Sequence, residues 1–161
     1  MTAGPVEDIK IPPIRNGTVI DHIANGQALN VLKILGVNEN SIDSSISIGM
    51  HVRTAHNEQR WKDIVKLEDR ELDAVSVSKI ALIAPDATIS IIRDYYVAEK
   101  TPVKLGDSVV GLVRCSNPNC ITNKSEPVTP KFIVEARNPP RLRCIYCDRD
   151  LTNVSDNLLR P

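Results

Sequence analysis

WKDIVKLEDRELDAVSVSKIALIAPDATISIIR, residues 61–93, holds a strand, a helix and a second strand in immediate succession. Trp61–Leu67 reads as strand. Glu71–Ile83 then sets Leu72, Val75, Ser76, Lys79, Ile80 and Ile83 at helical spacing, with acids at its start, where the helix dipole favours them. Pro85 stops that helix. Ala87–Arg93 (ATISIIR) is a β-branched run that reads on through Tyr95–Ala98 to the end of the unit.

Working towards the N-terminus, further strands and a helix precede this stretch, and no internal repeat is visible. Ser45–Val52 (SISIGMHV) alternates with period two, the mark of a half-buried strand, and the polar residues 53–60 join it to Trp61 as a hairpin loop. Gln27–Leu35 places Ala28, Leu29, Val31, Leu32 and Leu35 at helical spacing, and Gly36 stands where a left-handed C-terminal cap is wanted. Thr18–Ile23 (TVIDHI) is a β-branched strand. The order is βαββαβ, which predicts a ferredoxin-like α+β unit: two helices covering one face of an antiparallel sheet.

Towards the C-terminus the character changes. Residues 99–112 carry one proline, two glycines and few large apolar side chains, so we place a boundary there and divide the chain into 1–102 and 103–161. Beyond it the apolar stretches are Lys131–Ala136 and Leu142–Tyr146, separated by the turn signal Asn138-Pro139-Pro140. So small a core needs a staple.

All four cysteines lie in this region, as Cys115-x4-Cys120 and Cys144-x2-Cys147 with 23 residues between the pairs. Each pair can form a tight knuckle aiming two thiolates at one tetrahedral ion, and Asn117, Pro118, Asn119 and Asp148 supply turn chemistry. The spacing points to one structural zinc per chain in a small all-β, zinc-ribbon-like domain. Two disulfides or an iron–sulfur cluster are the alternatives it leaves, although the absence of a secretion signal argues for reduced thiols. Four thiolates leave no open position for a catalytic water.

Composition bounds the rest. Hydrophobic residues are 42% and charged residues 25%, ordinary for a globular protein, no run of 18 apolar residues occurs, and the opening MTAGPVEDIKIPPIRNG has no apolar core of a leader peptide. The expectation is a cytoplasmic protein without a membrane partner. Formal net charge is zero; residues 1–100 hold 11 Lys+Arg against 14 Asp+Glu (−3) and residues 101–161 hold 9 against 6 (+3). That balance lacks the electrostatic footprint of a nucleic-acid binder, and five aromatic residues are few for stacking bases. Arg137, Arg141, Arg143 and Arg149 still leave a zinc-ribbon nucleic-acid-binding protein as an alternative.

No Walker loop, G-x-G-x-x-G, G-x-S-x-G or H-E-x-x-H is present, and no nucleophile, base and orienting group stand out as a set, so no catalytic residue is assigned. Strict alternation would send the adjacent Asp21 and His22 to opposite faces. Lys62 and Lys66 share one face with Ile64 between them, and Lys100 closes the last strand.

The blocks RNGTVIDHI (15–23), WKDIVKLED (61–69) and ALIAPDATI (81–89), followed by the C-x4-C…C-x2-C tail, resemble the regulatory chain of aspartate carbamoyltransferase. The resemblance implies a non-catalytic chain of pyrimidine biosynthesis. Its N-terminal allosteric domain would bind ATP, CTP or UTP, and its zinc domain would grip the catalytic chain. Regulatory chains would form homodimers through sheet edges. By the same resemblance, Asp21 would meet the ribose, His22 and Lys100 the phosphates, and Lys66 the base and ribose. Ile11, Ile14, Val19, Ile64, Ile92, Tyr95 and Val97 would form the base slot and sugar wall. Ser90 stands where some relatives carry an asparagine that touches the base region, and Pro12-Pro13 where relatives can carry an acid; these departures bear on nucleotide preference. Lysines suit the three to four negative charges, roughly, of a triphosphate.

Overall fold

The computed structural model describes residues 12–37, 40, 42–54 and 60–159. Its first half contains β1 (Gly17–Ala24), α1 (Ala28–Ile34), β2 (Ile46–Arg53), β3 (Trp61–Glu68), α2 (Ala74–Ala81), β4 (Thr88–Arg93) and β5 (Tyr96–Pro102). All neighbouring strands are antiparallel, in the order β2-β3-β1-β4-β5. The first four strands keep the βαββαβ order expected from sequence, and the molecule is α+β.

One face of this sheet is apolar. Ile20 of β1, Val65 and Leu67 of β3, and Ile89 and Ile91 of β4 are buried, and they join a cluster with Ala28, Val31, Leu32 and Ile34 of α1 and Ile80 and Ala81 of α2. The alternating residues, Val19, Asp21, Lys62, Ile64, Lys66, Ser90 and Ile92, therefore occupy the face without helices. Gly17 is needed where β1 enters: its φ is +139°, and a Cβ there would collide with the Leu67 carbonyl oxygen.

Three local readings need correction. β4 does not continue through Tyr95. Asp94 (φ 49°) and Tyr95 (φ 68°) make a two-residue turn, and the chain returns as the separate edge strand β5. Helix α2 begins at Ala74, because the Asp73 carboxylate accepts from Ser76 N (2.7 Å) and caps it there; no acid lies in its first turn, and Glu71 instead pairs with Arg93 at 2.8 Å. In β1, His22 has φ 58° and the register slips between Ile20 and Ile23, so Asp21 and His22 sit in a bulge. His22 N donates to Asp21 Oδ1 (2.7 Å), and Nδ1 lies 4.0 Å from Oδ2, so simple alternation does not separate the two.

The second sheet has the order β6-β7-β8-β9, from Ser108–Val110, Lys131–Arg137, Pro140–Cys144 and Asp150–Leu151. Its short outer strands, β6 and β9, are too brief to show periodicity in the sequence. Val109, Phe132, Val134, Leu142 and Leu151 fill its core, and the cluster they join runs on through Leu105 and Val103 to the first sheet. The expected hairpin connection at 53–60 falls largely on residues 55–59, which lie outside the described residues; on either side of them Thr54 N donates to Arg60 O at 3.1 Å. No helix among the described residues is long and apolar enough to cross a membrane.

Candidate functional site

The four cysteines come from two turns that face each other. Cys115 follows Val113, whose partner across an isolated bridge is Leu158; Cys120 closes its turn with its N–H on Asn117 O (3.0 Å). Asn123 Nδ2 reaches back to the carbonyls of Cys115 (2.8 Å) and Asn117 (2.7 Å), tying the first knuckle shut. Cys144 ends β8, and the second knuckle closes when Asp148, at φ 59°, donates its N–H to Cys144 O (2.9 Å).

The result is a compact set of free thiols. All four Sγ atoms lie within 4.8 Å of one another, with Cys115–Cys147 at 3.6 Å and Cys120–Cys144 at 3.7 Å. A tetrahedral ion with sulfur ligands at about 2.3 Å has ligand–ligand edges of about 3.8 Å, so donor type, number and spacing all fit a four-thiolate metal centre. The thiols are not equivalent in the absence of an ion. Burial pushes Cys115 up to about 12 and also raises Cys144. At Cys147 burial acts in the same direction, but the Arg149 N–H, Asn117 and the neighbouring cysteines outweigh it and bring the thiol down to about 7.

The other candidate residues gather on the helix-free face of the first sheet. Strand register sets Lys66 of β3 opposite Val19 of β1, Val19 opposite Ser90 of β4, and Ser90 opposite Lys100 of β5. These four residues thus form one row across four strands, with a lysine at each end. The next row runs Gly17, Ile92, Val97, and on the other side Asp21 lies opposite Thr88. Ile14, Ser90 and Ile92 are buried, whereas Tyr95 and Val97 are exposed at the hairpin.

Polar contacts organise this face. Lys62 Nζ sits 2.8 Å from Asp21 Oδ1, which brings a third lysine to it. Lys66 Nζ donates to Pro12 O (3.1 Å); burial holds the ammonium below its usual range, while Asp21 acts in the opposite sense. Segment 12–16 is tied down further by Tyr95 N on Arg15 O (2.9 Å), Asp69 N on Asn16 O (3.0 Å) and Asp94 N on Asn16 Oδ1 (3.1 Å). Ile11 lies outside the described residues. Lys62 was visible in the sequence as a neighbour of Lys66, but its partner Asp21 is 41 positions away and only the β1–β3 register brings them together.

A sheet carrying cations on its open face, followed by a small sheet closed by four thiolates, defines a binding chain with a metal-binding module. The descriptions of the matching family models are "Aspartate carbamoyltransferase regulatory chain, allosteric domain" over residues 9–104 and "Aspartate carbamoyltransferase regulatory chain, metal binding domain" over residues 107–155. Proteins named aspartate carbamoyltransferase regulatory chain are similar to it along nearly their whole length. The one from Methanothrix thermoacetophila is 56% identical over 153 residues, 94% of this chain and 97% of the relative. Those from Thermoplasma volcanium and Methanococcoides burtonii are each 48% identical, covering 89% and 96% of this chain and 92% and 96% of their own. The chain belongs to the family of aspartate carbamoyltransferase regulatory chains, in keeping with a non-catalytic subunit that works beside a catalytic one.

Proposed function

We propose that this chain binds nucleoside triphosphates, ATP, CTP or UTP, on the helix-free face of its first sheet and passes the resulting bias to a catalytic chain held by its metal domain. The observation that carries the reading is the row Lys66–Val19–Ser90–Lys100, in which cations flank a narrow, partly buried strip beside Asp21, His22 and Lys62. An apolar strip suits a base, and flanking ammonium groups suit phosphates. Ile14, Ile64, Ile92, Tyr95 and Val97 supply apolar walls, Asp21 an acceptor for ribose hydroxyls, and His22 and Lys100 phosphate donors. The metal is zinc, one per chain, held by Cys115, Cys120, Cys144 and Cys147; hard oxygen-preferring ions do not suit four thiolates. Residues 1–102 form the effector domain and 103–161 the docking domain. Two such chains pair through sheet edges, and the assembly acts in the cytoplasm in pyrimidine biosynthesis.

Calorimetric titration of the zinc-loaded chain with ATP and CTP, against a single-stranded oligonucleotide, tests this. Lys66→Ala and Lys100→Ala should each lose on the order of 1.5–3 kcal/mol of triphosphate affinity, roughly tenfold to hundredfold in Kd, with melting temperature almost unchanged. Wild-type affinity in both variants would falsify the site, and preference for the oligonucleotide would replace it with a nucleic-acid reading.

A further inference from the structure

On β3, two consecutive residues hold two separate bulges. The Asp21-His22 bulge of β1 lies opposite Ile64, since Ile20 pairs with Val65 and Ile23 with Asp63. The Met50-His51 bulge of β2 lies opposite Asp63, since Gly49 pairs with Ile64 and Val52 with Lys62. His22 and His51 both adopt positive φ, 58° and 57°. Lys62 grips the first bulge through Asp21, at 2.8 Å.

Asp63 grips the second from the opposite face of the sheet. It is completely buried, and its carboxylate accepts three backbone N–H groups: His51 N on Oδ1 (2.9 Å), and Gly26 N (2.9 Å) and Ala28 N (3.0 Å) on Oδ2. The last two belong to the turn that leaves β1 immediately after its bulge and opens α1. A further strap joins the same parts, His51 Nδ1 donating to Asn25 Oδ1 at 3.0 Å. A buried carboxylate with three donors is expensive to displace, because each N–H it releases loses a charge-assisted bond in a dry site. Any movement of the β1 bulge that carries the following turn, Gly26 to Ala28, along would therefore draw Asp63 and His51 with it.

We propose that Asp63 is a positioning residue that couples the Asp21-His22 bulge to the edge strand β2, so that a nucleotide held at Asp21, His22 and Lys62 resets the geometry of that edge. This rests on the effector reading above. β2 borders the sheet and carries Ile48, Met50 and Val52, each more than a third exposed, so a change in its bulge would reach the surface.

The molecule contains its own reporter. Trp61, the only tryptophan, stacks on His51 with ring centroids 4.0 Å apart and planes inclined by 10°, so displacement of His51 alters the indole's surroundings. The experiment follows Trp61 emission and heat of binding together while ATP or CTP is titrated into the zinc-loaded full chain. In the wild type an emission change should track the calorimetric isotherm. Asp63→Asn, which turns an amide donor towards backbone N–H groups, should still bind nucleotide but lose the emission change. Should that variant fail to fold by circular dichroism, Asn25→Ala, which cuts only the exposed strap, takes its place and should show a smaller change at unchanged affinity. Heat without an emission change in the wild type, or a full emission change in the variant used, overturns the coupling. Absence of heat in the wild type overturns the effector site itself and this inference with it.

Discussion

Asp21 shows how single residues on the open face are tuned. Burial alone would raise its carboxyl, but the 2.8 Å bond from Lys62, the N–H of His22 and electrostatic attraction to these two neighbours outweigh burial and hold it below the usual carboxylate value of 3.8. A group whose folded pKa is depressed contributes stability above its unfolded pKa and loses it as pH falls through the folded one. Asp21→Asn should therefore be less stable than wild type near neutral pH, with the gap closing as pH drops below about 4. Urea midpoints across that range read the difference, and a gap constant with pH would mean that the pairing with Lys62 contributes nothing. The same pairing lets an anionic side chain stand in the proposed triphosphate site: it balances Lys62, leaving Lys66 and Lys100 at the two ends of the row.

The β4–β5 hairpin carries the clearest element-scale test. Both turn residues are left-handed, Asp94 at 49° and Tyr95 at 68°, a geometry that favours Asn-Gly or Asp-Gly and penalises a bulky side chain at the second position. Tyr95→Gly should relieve that strain and, after its own entropy cost, stabilise the chain by about 0.5–1 kcal/mol. If Tyr95 closes the sugar wall, triphosphate affinity must fall at the same time. Opposite signs in a thermal melt and a titration support that placement; a melt that drops, or affinity that stays, counts against it. This turn was illegible in the sequence for the same reason: Tyr95 lacks the glycine that announces such turns, so ATISIIRDYYVA reads as one long strand. The bulges at His22 and His51 were equally hidden. They are shaped by register with β3 and, at His51, by the buried carboxylate of Asp63, none of which is local in sequence. Helix α1 and the cysteine knuckles were legible because their determinants lie within a few residues: apolar spacing closed by Gly36 (φ 74°), and paired thiols in turn-forming loops. Lys66 and Lys100 could be seen as surface lysines, but only strand register aligns them with Val19 and Ser90.

At the scale of the whole molecule, the proposed metal centre is expected to decide whether the second sheet forms. That sheet has four strands of seven residues or fewer, and its core is little more than Val109, Phe132, Val134, Leu142, Leu151 and the cysteines. Binding of a structural zinc is worth about 10 kcal/mol or more at neutral pH, which equals or exceeds the stability of an ordinary small domain. Loss of the ion should therefore melt residues 108–151, while the five-stranded sheet, with its own helix-covered core, survives. Among the described residues, polar ties between the two parts include Val103 N on Ala87 O (3.0 Å), Asn138 Nδ2 on Asp86 Oδ1 (2.8 Å) and Ser155 Oγ at 3.4 Å from Gln27 Oε1. They would go with the second sheet, since their partners would no longer be held. The expected outcome for the chelated chain, or for Cys144→Ser, is loss of hydrogen-exchange protection in β6–β9 with protection retained in β1, β3 and β4. ATP should still bind by calorimetry, yet the chain should no longer associate with a catalytic chain or alter its aspartate saturation. Because coupling between two sites is a shared free energy, a docking module that has melted can neither receive nor return it, whatever the effector domain binds. Docking that persists without metal, or nucleotide binding that vanishes with it, would show that the two functions are not divided between the two sheets.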